Sequence, residues 1–422
     1  KASSSSSSSS CKSNSVNQTL NVKNNKLCTG KEEDDDDGLF HVPDQVEDVM
    51  GQLLIALTDS ATVVRWSAAK GVGRVTERLP VLCAHDVLDA VLALCKDEEK
   101  DHSWHGACLA LAELARRGLL LPNRLGDVVP VIVRAVQYDV RRGPTSVGSN
   151  VRDAACYTYW AFARAYAPSV LKPYIPELSK SIVVASLLDR EVNCRRAASA
   201  AFQECVGRQG ADNFKHGISI LTAADYFSLG NRTNSFTSVA YHVAQFSEYQ
   251  KPIFQHLYKV KLYHWDINIR ILTSKALNCL TVYDPFFMSQ TIVPYLLSRC
   301  TDKTLFVRHG ALWGLAEIVL AFGTIHNDSN KNSFSESIGL SDDSISAIAE
   351  IVMTIEKARL YRGRGGEVMR SAVCRFIECI SIANLPLAVR QQVRLLDTID
   401  ACLKHPSEDI QTSSSNALYA LM

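Results

Sequence analysis

Val63-Val64-Arg65-Trp66-Ser67-Ala68-Ala69-Lys70-Gly71-Val72-Gly73-Arg74 is the stretch whose reading decides the fold. An arginine opens an apolar-periodic run and a small residue, Ala68, follows three positions later. The pairing returns at intervals of about 40 residues. With anchors at Arg65, His105, Arg152, Arg195, Arg232, Arg270, Arg308, Arg370 and Gln411, the steps are 40, 47, 43, 37, 38, 38, 62 and 41. Three residues beyond each anchor stand Ala68, Cys108, Ala155, Ala198, Ser235, Thr273, Ala311, Val373 and Ser414, most of them small enough to let neighbouring helices approach closely. That period belongs to two-helix repeats of the HEAT and armadillo kind, so the chain is expected to be an all-α solenoid.

Working outward, Val46, Val49, Met50, Leu53, Leu54 and Leu57 lie at i, i+3, i+4, i+7, i+8 and i+11, one stripe on a helix that precedes Val63. The alternation continues downstream, and nine helical pairs are expected over residues 39–422. Residues 324–343, rich in Asn, Ser and Asp, explain most of the 62-residue step and predict a solvated loop inserted between pairs. Sustained period-two alternation bounded by hairpin dipeptides is missing, so no strands are expected. Residues 1–38 combine polyserine, an Asn/Lys stretch and the acidic run Glu32 to Asp37, which predicts disorder. The chain begins without Met and ends in what reads as an unfinished helix, so a fragment is expected.

Composition narrows the function. Forty-five Lys and Arg stand against 44 Asp and Glu, a net charge of +1 that gives no reason to expect nucleic acid. No run of 18 uninterrupted apolar residues suggests a membrane span. The 13 cysteines include no C-x-x-C pair, and Cys374 and Cys379, five apart, fall on different sides of a helix. Buried reduced thiols are expected, with no metal site and no cofactor. His105, His264 and His309 show no ligand spacing.

Longer blocks carry a resemblance. Val63 to Arg74, Trp104-His105-Gly106 through Leu121-Pro122, Val151-Arg152-Asp153-Ala154-Ala155-Cys156, Cys194-Arg195-Arg196-Ala197-Ala198, Arg308-His309-Gly310 and Leu360-Tyr361-Arg362-Gly363 occur in this order. Together they resemble the N-terminal to middle portion of the tubulin-folding cofactor D family, over about residues 45–422. The resemblance implies a non-enzymatic scaffold chaperone, cytoplasmic and microtubule-associated. It implies that the protein binds β-tubulin, works with cofactors C and E and an Arf-like small GTPase, and contributes to GTPase activation on tubulin only within that complex. A transport adaptor binding peptides and a small GTPase is the alternative.

The repeated arginines read as structural, each bonding an Asp or a carbonyl near an inter-helix turn of its own or the next repeat. A group recurring in nearly every repeat is poorly suited to a unique catalytic role. No nucleophile with an adjacent base can be assembled, and Gly363, Gly365 and Gly366 lack the Lys-Ser/Thr ending of a phosphate loop. As partner-binding residues the sequence offers Trp66 and Trp265, each beside charged groups, and Arg362 and Arg364 in the glycine-rich turn.

Overall fold

The computed structural model describes residues 42–97, 100–328, 333–360 and 365–422. The segment expected to be disordered, 1–38, lies outside them. Four regular pairs come first: Asp44–Ala56 with Thr62–Thr76, Val81–Ala93 with Asp101–Arg116, Leu125–Ala135 with Ser149–Ala165, and Ile175–Leu188 with Val192–Gln209. Four more follow Ser247: Ser247–Lys259 with Ile267–Leu280, Val293–Arg299 with Leu305–Asp328, Asp342–Lys357 with Gly366–Ile382, and Val389–Leu403 with Glu408–Leu421. Each pair has a helix A and a helix B, in chain order.

No helix here closes a core alone. Each B helix packs on the next, in succession through pairs one to four and again through pairs six to nine, so one apolar core runs along the stack. Helix B of pair two shows the consequence, being buried from Ser103 to Ala115.

Between the two runs lies an irregular fifth pair, Gly217–Ala223 followed by Arg232–Asn234, a widened turn at Ser235–Val239, and Ala240–Ala244. Its Ser/Thr-rich sequence bonds its own backbone, as Thr237 Oγ1 does at Thr233 O (2.8 Å), and such back-bonding competes with regular helix. Because the fifth pair is short, helix A of pair four lies directly against helix A of pair six.

Two expectations are corrected. A small hairpin, β1 (Val140–Arg142) and β2 (Thr145–Val147), is inserted between the helices of pair three, with Val140 opposite Val147 and Arg142 opposite Thr145. Strands of three residues are too short to show alternation. Residues 324–328 are helical, and of the rest of the polar segment Phe334–Ile338 forms a further helix. Its serines act as caps, Ser333 Oγ accepting from Glu336 N (3.2 Å) and Ser341 Oγ from Ser344 N (3.2 Å), while Phe334, Ile338 and Leu340 are buried. Leu305–Asp328, at 24 residues, is long and apolar enough to cross a membrane by length and composition, yet 72% of its most apolar window is buried inside the fold. Arg308, His309 and Glu317 interrupt the apolar run and are themselves buried.

Two glycines set the spacing of the stack. A Cβ on Gly106 would overlap the carbonyl oxygen of Leu57 at the end of helix A of the preceding pair, and one on Gly310 would overlap that of Leu262, just after helix A of pair six. Neither backbone carbonyl has a flexible side chain to move aside. Gly106→Ala and Gly310→Ala are each expected to destabilise the fold by about 2 kcal/mol or more, whereas Gly51→Ala, with nothing within 4 Å, is expected to stabilise it by about 0.5–1 kcal/mol. Urea-denaturation midpoints of the three variants check both signs.

Candidate partner-binding surface

The turn between helices A and B leaves carbonyls without intrahelical partners, and a buried arginine collects them. Arg65 Nη1 donates to the carbonyls of Asp59 (2.6 Å) and Ser60 (2.9 Å). Arg195 Nη1 does the same at Asp189 (2.9 Å) and Arg190 (3.2 Å), Arg270 Nη1 at His264 (2.7 Å) and Trp265 (2.9 Å), and Arg308 Nη1 at Lys303 (2.8 Å) and, more weakly, Asp302 (3.4 Å). In each case the acceptors lie six and five residues upstream. Gln411 keeps one of the two bonds, donating to His405 O at 2.8 Å.

The Nε edge then reaches into the next repeat. Arg65 Nε donates to His105 Nδ1 (2.8 Å), Arg195 Nε to Leu229 O (2.8 Å), and Arg270 Nε to His309 Nδ1 (3.1 Å). The expected ladder is therefore present at Arg65, Arg195 and Arg270, with the turn bonds alone at Arg308. His105 is the receiver from the preceding repeat, and the turn carbonyl of pair two, Asp97 O, takes the indole N–H of Trp104 at 2.9 Å. Arg232 is exposed and outside the ladder.

Arg152 differs because the hairpin displaces its turn. Its Nη1 reaches back to Tyr138 O (2.7 Å), and its other edge makes a two-point pair with Asp189, at 2.5 Å from Nε and 3.2 Å from Nη2. Burial alone would lower the Arg152 value; the Asp189 carboxylate outweighs it and raises it.

Pairs two and seven carry a module that sequence reasoning missed. His105-Gly106-Ala107 leads to Leu111-Ala112-Glu113, and His309-Gly310-Ala311 leads to Leu315-Ala316-Glu317 at the same spacing. Each histidine accepts from the arginine before it. Each buried glutamate accepts from the B helix after it: Glu113 Oε1 from Tyr157 Oη (3.1 Å), and Glu317 Oε1 from Arg375 Nη2 (2.8 Å). The recurrence of His-Gly-Ala-x-x-x-Leu-Ala-Glu was the available signal.

On the B-helix side, Trp66 from pair one and Tyr157 and Trp160 from pair three form an aromatic row. The Trp66 and Tyr157 rings are 5.4 Å apart, and Tyr157 stacks on Trp160 at 5.6 Å. Arg164 lies over Trp160 at 4.5 Å and Lys70 over Trp66 at 6.0 Å. The row walls an open groove of about 300 Å³ floored by Ala197, Ala200 and Ala201. Through Ala200 it continues into a hollow of about 280 Å³ beside Arg196, Gln203 and the exposed Tyr226. Half-buried aromatic rings flanked by cations over a small-residue floor are the groups that carry binding energy at protein interfaces.

Trp66 thus lines the groove, while Trp265 is held within the chain. Its Nε1 donates to Ser146 Oγ of the hairpin (3.0 Å), and Arg190 lies over its ring at 5.4 Å. Arg362 and Arg364 fall outside the described residues. Among the described residues no group of three or more His, Cys, Asp or Glu is placed to hold a metal ion. Burial pushes the thiols of Cys95, Cys194 and Cys205 up to about 12. The reduced thiols of Cys374 and Cys402 lie against each other, and the hydrogen bond between them lowers the Cys402 value and raises that of Cys374.

Stacked helical pairs, arginine-tied turns and an open aromatic groove define a helical-repeat scaffold. The chain belongs to the tubulin-specific chaperone D-like armadillo-repeat family, whose profile matches residues 1–218. It is 40% identical over 346 residues to tubulin-specific chaperone D of Dictyostelium discoideum, covering 79% of this chain and 22% of that protein. It is 30% identical over 311 residues to tubulin-folding cofactor D of Schizosaccharomyces pombe, covering 68% of this chain and 28% of that one. The chain thus spans less than a third of the length of these relatives. Among solved structures, the karyopherin Kap121p bound to the extreme C-terminus of the phosphatase Cdc14p is similar with a TM-score of 0.34 at 11% identity, over 89% of this chain and 49% of that one.

Two predictions rest on the ladder. Burial, reinforced by the adjacent guanidinium, holds His105 at about 4 and His309 at about 3, so both accept as neutral imidazoles. These values lie below the ordinary value of about 6.5, so in mild acid the unfolded chain takes up more protons than the folded one. Stability is expected to be full above about pH 6.5 and to fall as pH drops towards 4, by up to about 3 kcal/mol for His105; the double variant His105→Gln/His309→Gln flattens that slope in pH-resolved melts. Arg152→Met leaves Asp189 buried without its partner and is expected to cost about 3–5 kcal/mol in denaturant titration.

Proposed function

We propose that this chain is the tubulin-engaging scaffold portion of a tubulin-folding cofactor, non-catalytic in itself, which holds β-tubulin while the α/β heterodimer is assembled with cofactors C and E. Family membership together with the aromatic groove carries this reading. Trp66, Tyr157 and Trp160 already stand at fixed positions, so a client surface meets preorganised anchors and little side-chain entropy is lost on docking. Stimulation of GTP hydrolysis on tubulin and engagement of an Arf-like small GTPase belong to the complex in this proposal, and its site of action is the cytoplasm, on or near microtubules.

The test is co-purification of the 422-residue chain with β-tubulin, with α-tubulin and an Arf-like GTPase as parallel baits. Selective retention of β-tubulin is expected. Trp66→Ala and Trp160→Ala should each weaken it by about thirtyfold or more while circular dichroism stays native. Retention of neither tubulin by a folded chain overturns the proposal, and retention unchanged in both variants moves the client off the groove.

A further inference from the structure

The B helices of the first four pairs carry four acids, Asp101, Glu113, Asp153 and Glu204. Three of them are paired. Asp101 Oδ1 lies 2.8 Å from Arg142 Nη2, Glu113 Oε1 3.1 Å from Arg116 Nη1, and Glu204 Oε1 2.9 Å from Arg164 Nε and 3.0 Å from Arg208 Nε. Asp153 makes no hydrogen bond or ion pair among the described residues. It lines the aromatic groove beside Trp66, Tyr157 and Trp160, and it is the one charged side chain in that lining. Burial raises its carboxyl above the ordinary value, and no neighbouring cation pulls it back.

The cations around the groove are turned to other work. Arg164 and Arg116, at 4.5 and 5.6 Å from the Trp160 ring, are the ones held by Glu204 and Glu113. Arg196 faces the adjoining hollow, where it donates to Tyr226 O (3.2 Å) and lies 3.6 Å from the Tyr226 ring. Lys70 stands 6.0 Å from the Trp66 ring and does not line the groove. The groove itself therefore holds a single charge, which is negative.

We infer that the aromatic groove takes a lysine or arginine side chain, its charged head pairing with Asp153 and its stem lying along Trp66, Tyr157 and the alanine floor. That this side chain belongs to the client rests on the function proposed above. A long basic side chain suits the place in both its parts, since its methylenes cover apolar surface while its head needs an anion. The ring faces add attraction for the same cation. The fold has already drawn the Asp153 carboxylate partly out of water, so part of the desolvation that ion pairing demands is met before the ligand arrives. A neutral amide of similar length gains neither the ion pair nor the ring attraction, and an acidic side chain meets Asp153 as a like charge. The volume, about 300 Å³, admits one such side chain with its flanking backbone.

The experiment has two arms, both with the whole 422-residue chain. In the first, fluorescence anisotropy compares a labelled peptide of alternating Lys and Ser with the same peptide carrying Gln for Lys. The Lys peptide should bind and the Gln peptide should not. Asp153→Asn, nearly isosteric, should weaken binding at least about tenfold, whereas Glu177→Gln, on helix A of pair four, should change it less than about twofold. In the second arm, Asp153→Asn should lower β-tubulin retention by a similar factor while circular dichroism stays native. Binding of the Lys peptide through Asp153 with no β-tubulin retained by the unsubstituted chain supports the inference and removes the client. Equal affinity for the two peptides, an unchanged affinity in Asp153→Asn, an equal loss in Glu177→Gln, or β-tubulin retained equally well by Asp153→Asn overturns the inference, and the last of these leaves the client in place.

Discussion

Everything in this stack depends on what happens to the carbonyls at the A-to-B turns. A helical repeat cannot bury its ends unless those groups find donors, and a two-helix unit has no backbone left to supply them. Arg65, Arg195 and Arg270 solve this with one planar group that faces two ways, while Arg308 makes the turn bonds alone. One edge gathers the carbonyls five and six residues upstream, and the Nε edge binds the next repeat, so the bond that completes a turn also fixes its distance to the neighbour. Lysine, with a single ammonium, has no second edge to offer.

Much of this was legible in the residues. The spacing of Arg65, Arg195, Arg270 and Arg308 and the small residue three positions on carried the helical pairs, because a chemical need that recurs in space leaves a period in sequence. The hairpin was hidden for the opposite reason. It occurs once, its strands are three residues long, and its partners Trp265 and Phe306 lie far along the chain. Trp66 and Trp265 looked alike in sequence, each a tryptophan beside charges. Only three-dimensional placement separates the one that faces a groove from the one that hydrogen-bonds Ser146.

The His-Gly-Ala-x-x-x-Leu-Ala-Glu modules give the stack a second level of order. Each sits second in its regular run, receives an arginine from the helix before and binds the helix after through its glutamate. Each glycine lets helix A of the preceding pair, or the turn just after it, end against its backbone. The two four-pair runs are thus built on the same internal lock, and the irregular fifth pair is where that regularity is suspended.

The hairpin has a consequence for how the molecule comes apart. A solenoid held only by neighbours behaves as a one-dimensional chain whose ends fray independently of its middle. Here Ser146 meets Trp265, Asp139 meets His264, and Arg141 lies 4.6 Å from the Phe306 ring, joining pair three to pairs six and seven across the fifth. These contacts close a loop of more than a hundred residues, so the segment between them melts as one cooperative unit, and its formation waits on a long-range encounter that a purely sequential stack never requires.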